Sequence, residues 1–488
     1  MGKLNVFLDL AEEYPYKTAA ILLLFHLLIS TIMFSIACSP YFTGMHNGHG
    51  LWNFAVDSFG YDQRAIRGAL MLQAGDISAW WAGDITSQVQ YPHVRLIALM
   101  YFLFGSSPLA FAPVNALTWV ATVFAAYALA RLLVPDNRSL ALLGAAIFSL
   151  MPTYLLQTTQ LLKDPLYTFG ICSLFLVLVR FLNGMFSWKW LLFGLLGFNL
   201  CIVIRPYIQM PIASMIYIAF TITFFLYSEY RKQIIIAASV FFVLLYADPF
   251  EIRNPHGHAE TALDYSRATN NALTSSQNNG TSSKNNGTSS QNNGTSSQNN
   301  GTSSQNNSFS YSPVNPDSEF YKVFSFLDHL ASSFQRLRYG MHTYNAGSHI
   351  DKGVVFESWT DALRYFPRAF QVALFSPFPP DWFKPAQSAG KGARLLAGAE
   401  MILLYVLWAG FAAFVFCKSV PLRLRAFLVI FSLSFLLLLG MAIPNAGAIF
   451  RMRYPYLLPI ILGGVYGCWL ILNSGQYSVF GKQDGRQE

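Results

Sequence analysis

The chain has 488 residues, of which 53% are hydrophobic and only 11% are charged. A soluble protein carries roughly a quarter charged residues, and runs of about 20 apolar residues recur along this chain, so we predict an all-α polytopic membrane protein. The net charge of +8 is typical of Lys and Arg held on the cytoplasmic side of a membrane, and it gives no reason to expect a nucleic-acid partner.

The first apolar run, Tyr16 to Cys38, lacks a small-residue cleavage site, so we interpret it as a retained helix and not as a signal peptide. A polar, acidic loop follows to about Pro92. The stretch from His93 to Phe104 is apolar but short for a crossing, and Ala110 to Leu133 is the next full span. The later predicted spans are Ser139 to Leu156, Pro165 to Leu182, Trp190 to Ile208, Ile212 to Tyr227, Gln233 to Tyr246, Leu395 to Phe416, Ala426 to Ile443 and Tyr456 to Leu472.

Basic loops predict the orientation of these spans, because short cytoplasmic loops are enriched in Lys and Arg. Four basic loops, listed below, all lie on the cytoplasmic side only if an odd number of crossings separates the acidic loop from Arg131. We therefore interpret His93 to Phe104 as a partial or interfacial helix, which leaves about ten crossings. The alternative is a true short span, which gives eleven and breaks the parity downstream. The basic loops are Arg131 to Arg138, Arg180 to Lys189, Arg231 with Lys232, and Lys418 to Arg425.

The span pattern divides the chain into three regions. Residues 1–246 form a transmembrane module, and the loop at 39–92 is its first outer loop. Residues 247–394 form a large extracytoplasmic region, and residues 395–488 contain the last helices and a cytoplasmic tail.

The large outer region has two parts of different character. Residues 275–308 repeat the segment SSQNNGT and contain almost no apolar side chains, so we predict an exposed spacer that cannot form a packed core. Phe320 to Trp382 instead combines charged residues with apolar residues at helical spacing. This pattern predicts ordered helices that lie over the outer face.

The first outer loop contains the best candidates for a catalytic carboxylate. Asp57 and Asp62 lie in VDSFGYDQRAIRG, where Arg64 and Arg67 follow Asp62 at near-helical spacing. A general base must be ionised and within reach of the group it activates, and two nearby arginines favour an ionised Asp62. We therefore favour Asp62 as the base, with its neighbour Tyr61 as a substrate contact. The alternative is that one of the two aspartates only caps the following helix.

Further charged residues are predicted at the same outer face, at the ends of spans. Arg suits bidentate recognition of phosphate, so these residues suggest a site for a lipid phosphate or diphosphate. The alternatives are that Asp164 begins a helix as its cap and that each Arg anchors its helix among lipid headgroups. The candidates are Lys163, Asp164, Arg205, Tyr207, Arg451, Arg453 and Tyr454.

Several motifs are absent from the full sequence. There is no Walker A loop, no GxSxG and no HExxH, and the five cysteines show neither CxxC nor Cys/His spacing. We therefore predict no cofactor and no metal site, although the sequence does not settle dependence on a divalent metal.

Over Lys17 to Arg205, an acidic outer loop is followed by Tyr91–Pro92, LFG-S at Leu103 to Ser106, ALARLL, MPTYLLQTT and Lys163–Asp164. This order of motifs resembles the GT-C superfamily of integral-membrane glycosyltransferases. It is most similar to the bacterial relatives of the protein O-mannosyltransferases and of the lipid A aminoarabinose transferase. The segment NAGAIFRMRYPYLLP near the C-terminus also resembles the end of some members.

The resemblance implies transfer of a sugar from a polyprenyl-phosphate donor to an acceptor hydroxyl, typically with inversion. It implies Asp62 as the base and Asp164 as a second acidic site residue. Members often carry Lys or Pro where this chain has Tyr91 and His93, so Lys163, Arg205 or Arg451 is the expected phosphate ligand. The expected partners are the donor, a lipid, glycan or protein acceptor and membrane lipids, in a bacterial inner membrane with the site facing the periplasm.

Two other functions fit a polytopic chain with charges at helix ends. A polymerase or ligase of surface polysaccharide also has a large outer loop and site arginines, but it does not need an acidic loop directly after the first helix. A lipid flippase or transporter typically shows internal repeats and midplane charges, and no convincing repeat of halves is visible in this sequence.

Overall fold

The computed structural model describes residue 9 and residues 12–82, 92–246, 319–342, 348–384 and 390–473. Within these ranges the regular structure is helical, without strands. The N-terminal half contains α1 (Pro15–Ala37), α2 (Asp57–Gln73), α3 (Ile77–Ala82), α4 (Pro92–Phe104), α5 (Ala112–Leu133), α6 (Arg138–Leu150), α7 (Pro152–Thr158), α8 (Asp164–Leu182), α9 (Trp188–Ile204), α10 (Gln209–Leu226) and α11 (Arg231–Tyr246). After residue 318 follow α12 (Glu319–His342), α13 (Trp359–Phe375), α14 (Gly390–Phe416), α15 (Leu422–Ala442), α16 (Ala446–Met452) and α17 (Leu458–Leu472).

Among the described residues, seven helical segments are long and apolar enough to cross a membrane, which is the pattern of an integral membrane protein. They are Pro15–Ala37, Pro108–Leu133, Asp164–Leu182, Pro206–Leu226, Gly392–Phe416, Leu422–Ala442 and Tyr454–Leu472.

Three further predicted spans form shorter helices, so the expectation of about ten full crossings stays a prediction. Helix α6 has 13 residues and ends before Pro152, where Met151 is extended with ψ near 123°. Helix α9 has 17 residues and ends before Pro206, and α11 has 16 residues that begin with two basic side chains. Proline lacks the N–H of the helical ladder and disfavours helical geometry in the residue before it, so it divides both apolar runs.

Contacts at the two ends of the bundle fix the relative direction of α1 and α5. At one end, Arg138 at the start of α6 lies 2.7 Å from Asp9 and 3.3 Å from Glu12, just before α1. At the other end, the backbone N–H of Trp52 donates to the side chain of Gln160 at 3.0 Å. The Asn115 side chain donates to the backbone carbonyl of Gln160 at 2.8 Å. We call these the basic end and the site end. Helices α1 and α5 therefore run in opposite directions, and they are consecutive crossings.

Helix α4 adds no crossing between them, which confirms its interpretation as a partial helix. Its 13 residues span about 20 Å, well below the thickness of the hydrocarbon layer. It packs on α2 through a small cluster that includes Ala65, Ala69, Ile97 and Tyr101. This α2–α4 layer covers the site end of the bundle.

The centre of the bundle is α8, whose residues are 83% buried, whereas those of α1 at the periphery are 11% buried. Helices α14 and α17 approach closely through glycines. A Cβ on Gly467 would lie 1.7 Å from the carbonyl oxygen of Gly410, so only glycine permits this separation. Helices α14 and α17 are therefore held side by side.

The two ends predict opposite accessibility to a membrane-impermeant thiol reagent. Because basic loops are expected on the cytoplasmic side, Cys38, which is exposed after α1 at the site end, should react in intact cells. In a Cys38→Ala background, a cysteine introduced at Asp136 at the basic end should react only after permeabilisation. Mass spectrometry of the labelled protein measures both reactions. Equal labelling of both positions in intact cells would contradict this arrangement.

Candidate functional site

Four charged side chains from four segments form a chain of ion pairs at the site end. The Asp57 carboxylate, at the start of α2, accepts a hydrogen bond from the Arg451 guanidinium of α16 at 2.6 Å. The Arg451 Nε atom lies 3.5 Å from the carboxylate of Asp164, the first residue of α8. The other oxygen of Asp164 accepts a hydrogen bond from Arg205, directly after α9. We call this set Asp57–Arg451–Asp164–Arg205 the ion-pair chain.

Exposure increases along the ion-pair chain. The side chains of Arg205 and Asp164 are 3% and 8% exposed, whereas those of Arg451 and Asp57 are 22% and 44% exposed. Burial acts to lower the pKa of Arg451, but the carboxylates of Asp164 and Asp57 outweigh burial and raise the pKa. Arg205 follows the same pattern: burial opposes its charge, while Tyr207 and Asp164 raise the pKa. The buried part of the ion-pair chain is therefore fully ionised, and its outer part faces solvent.

Lys163 lies directly before the ion-pair chain and is half-buried. Burial lowers the pKa of Lys163 to about 8, helped by the positive charge of Arg205 and opposed by Asp164 and Asp57. Its amine is therefore still mostly protonated at neutral pH, but it loses its charge more readily than an exposed lysine.

A cavity of about 580 Å³ opens beside Arg451. It lies between the α2 end of the first outer loop, helix α7, residues 348–350, the start of α14 and helix α16. Val56, which precedes Asp57, also lines the cavity, so the exposed end of the ion-pair chain lies at its edge. Its larger apolar side chains include Phe54, Val56, Leu156, Ile350, Leu396 and Phe450, and its neutral polar ones include Asn53, Thr153, Gln157, Ser348 and Asn445.

Three cations and one carboxylate line the cavity: Lys384, Arg394, Arg451 and Asp381. The Lys384 amine lies 2.7 Å from the Asp381 carboxylate, and Arg394 donates to the carbonyl of Asp381 at 3.3 Å. An amphipathic cavity with surplus positive charge can hold an anionic headgroup together with the start of an apolar chain.

Sequence reasoning missed Lys384 and Arg394, although a signal for them exists. Both precede an apolar span on the predicted outer side, in the segment KPAQSAGKGARLL. Basic residues next to a span are expected on the opposite, cytoplasmic side. A basic group on the outer side therefore needs another explanation, and an anionic ligand provides one.

The α2 helix directs its two candidate carboxylates to different neighbours. Asp57 and Asp62 are five residues apart, which separates them by about 140° around the helix axis. Asp62 points to α4, where its carboxylate accepts a hydrogen bond from Tyr101 at 2.5 Å. Burial raises the pKa of Asp62, and this hydrogen bond only partly offsets it. Burial, not the following arginines, therefore has the largest effect on the ionisation of Asp62.

The structure places the remaining candidates in packing positions or at the surface. Tyr61 and His93 are buried edge to face against each other between α2 and α4, with ring centroids 4.4 Å apart. Tyr207 is 55% exposed, and its hydroxyl accepts a hydrogen bond from Arg205 at 3.4 Å. Tyr91 lies outside the described residues.

Arg453 and Tyr454 do not face the cavity. Arg453 is fully buried and donates to the carbonyls of Ala373 and Leu374 at the end of α13. Burial lowers the pKa of Arg453 to about 10. Tyr454 is stacked on Tyr154 at 4.4 Å between ring centroids. Both residues therefore hold helices together.

Among the described residues, no group of three or more His, Cys, Asp or Glu side chains is placed to hold a metal ion. No family model matches the chain, and no curated protein or solved structure matches it closely enough to assign a family. Membership of the GT-C superfamily therefore stays a prediction from the sequence motifs.

The Asp164–Arg205 pair should be required for stability. Replacing Arg205 with Met leaves a buried carboxylate without its closest partner, which typically costs about 3–5 kcal/mol. We expect a clear loss of thermal stability in detergent for Arg205→Met, and partial recovery in the double variant Asp164→Asn/Arg205→Met. Unchanged stability of Arg205→Met, with Arg364→Met on the exposed face of α13 as the control, would contradict the role of this pair.

Proposed function

We propose that the protein is a membrane glycosyltransferase that moves a sugar from a polyprenyl-phosphate donor to an acceptor hydroxyl at the site end. The observation that supports this most is the meeting of the Asp57–Arg451 ion pair with a cavity that also carries Lys384 and Arg394. The GT-C-like motifs from Lys17 to Arg205 support the same class of reaction. We further propose that the site end faces the periplasm of a bacterial inner membrane.

The cavity suits the headgroup of such a donor. Arg451 approaches from α16, while Lys384 precedes α14 and Arg394 lies near its start, so a phosphate between them would meet cations on two sides. The apolar side chains of Leu396 and Phe450 suit the first isoprene units. The carboxamide groups of Asn53 and Gln157 suit hydrogen bonds to sugar hydroxyls.

The reaction needs a base and a stabilised leaving group. A carboxylate takes the proton of the acceptor hydroxyl as its oxygen attacks the anomeric carbon. The bond from that carbon to the phosphate oxygen breaks, and the electron pair leaves with the polyprenyl phosphate. The cations stabilise the charge that develops on this phosphate, and the membrane holds the donor at the level of the site.

We assign the base to Asp57 in preference to Asp62. Asp57 is the more exposed of the two and touches a cation that lines the cavity. The hydrogen bond from Arg451 orients its carboxylate. Asp62 is instead engaged by Tyr101 within the α2–α4 layer.

Transfer of radiolabelled sugar tests both the function and the base. Membranes that contain the wild-type chain, Asp57→Asn or Asp62→Asn at equal expression are given a panel of polyprenyl-phosphate sugars. We expect label to reach an acceptor with the wild type and Asp62→Asn, and about 10²–10⁴-fold slower with Asp57→Asn because the base is removed.

The pattern among the variants decides between the alternatives. Loss of transfer in Asp62→Asn alone would return the base to the residue favoured by the sequence resemblance. Equal transfer in all three would contradict a catalytic carboxylate on α2 and favour a polymerase or ligase. Transfer from none of the donors, with wild-type protein shown to be folded, would contradict the proposed function.

The cavity cations predict a selective effect on donor use. Arg394→Gln removes one charge beside the proposed phosphate, so KM for the donor should rise about tenfold, the effect of losing one charge-assisted hydrogen bond. Initial rates at varied donor concentration measure this change. The matched control is Arg364→Gln, because the Arg364 side chain is 81% exposed on α13. An equal KM for the two variants would place the phosphate elsewhere.

A further inference from the structure

Helix α14 carries a carboxylate where an apolar span is expected. Glu400 lies within the candidate span Gly392–Phe416 and is only 4% exposed. Acidic residues inside membrane spans are costly, and they are usually retained for a specific interaction. Glu400 belongs to neither the ion-pair chain nor the residues that line the cavity, so its role needs its own explanation.

The partner of Glu400 is Thr153, the second residue of α7. One carboxylate oxygen accepts the Thr153 N–H, and the other accepts its hydroxyl at 2.6 Å. The N–H groups in the first turn of a helix have no partner within the helix, and leaving one unpaired in apolar surroundings is unfavourable. Arg453 contributes a favourable positive charge to the surroundings of Glu400. The carboxylate therefore fixes the point where α7 begins.

Thr153 belongs to a linker, residues 151–163, that joins α6 to the ion-pair chain. Side chains of other helices hold this linker at further points. His26 of α1 bonds the Thr158 hydroxyl at 2.8 Å, and Asn115 of α5 donates to the Gln160 carbonyl at 2.8 Å. Beyond Thr158 the linker is not helical until α8 begins, so these bonds determine its path.

The linker connects Glu400 to both parts of the candidate site. Thr153 and Gln157 line the cavity, and Lys163 at its end leads into Asp164 of the ion-pair chain. One turn before Glu400, Leu396 and Ala397 of α14 line the cavity as well. The bond between Glu400 and Thr153 therefore ties two walls of one cavity together.

We propose that Glu400 is a positioning residue that, through Thr153, sets the placement of the linker and hence of Gln157 and Asp164. Its effect on the linker stands independently, whereas its effect on catalysis rests on the proposed glycosyl transfer. A small displacement at a reacting centre can reduce a rate by about 10²-fold. Glu400 thereby acts on the reaction without touching a substrate.

Hydrogen exchange of the purified full-length protein in detergent, measured by mass spectrometry, tests the effect on the linker. Glu400→Leu removes both acceptors of the Thr153 donors, so exchange should rise in peptides covering 152–163 and stay unchanged in α8 and α17. Thr153→Ser keeps both donors and should match the wild type. Glu357→Leu is the matched control, because Glu357 is exposed.

Transfer kinetics on the same variants test the effect on catalysis. We expect kcat of Glu400→Leu to fall about tenfold to a hundredfold, with KM for the donor nearly unchanged because Lys384 and Arg394 do not belong to the linker that Glu400 positions. Thr153→Val loses only the hydroxyl and should show an intermediate fall.

The two measurements separate the outcomes. Unchanged exchange in 152–163 would overturn the proposal, and so would a rise spread over all helices, which indicates a general loss of packing. A local rise with unchanged kcat would overturn the role in catalysis. A local rise in a protein whose wild type transfers sugar from no donor would support the positioning role and overturn the proposed function.

Discussion

The ion-pair chain is the constraint on which the site end depends. Asp57, Arg451, Asp164 and Arg205 come from segments far apart in the sequence, and Asp164 and Arg205 are almost fully buried. A charge in apolar surroundings is tolerated only when it is paired and hydrogen-bonded. Each of these segments therefore fixes the position of the next, and the first outer loop is held on the bundle by its own carboxylate.

The ion-pair chain is buried at one end and partly exposed at the other, and this difference determines which of its members can reach a substrate. Its inner members hold α8 and α9 together, while Arg451 and Asp57 remain partly exposed beside the cavity. A buried pair that stays ionised supplies a fixed field to the outer members and costs no rearrangement during a reaction. The same ion pairs therefore stabilise the fold and support the proposed site for an anionic lipid headgroup.

Much of this arrangement was accessible from the sequence. Apolar runs and basic loops predicted a helical membrane protein and placed the first outer loop, Lys163–Asp164, Arg205 and Arg451 at one face. A run of apolar residues does not reveal how completely Pro152 divides a helix, so the break between α6 and α7 was not predicted.

Which side chains meet was harder to predict, because it depends on helix phase and on long-range packing. Asp57 and Asp62 share one helix, but only their phase decides that one contacts Arg451 and the other Tyr101. Arg451 and Arg453 are two residues apart, so they point to nearly opposite sides, one to the cavity and the other to the carbonyls ending α13. The position of Lys384 and Arg394 beside an outer span end signals an anionic ligand, but only the placement of α14 shows which cavity they line.

The most direct test of the central claim is a cryo-electron microscopy structure of the full chain in a lipid nanodisc with added undecaprenyl phosphate. The account predicts density for the phosphate in the cavity, within hydrogen-bond distance of Arg451 and Arg394, with the isoprenoid chain leaving past Leu396 or Phe450. Phosphate density bound elsewhere on the bundle, or a cavity that stays free of lipid at saturating concentration, would contradict it.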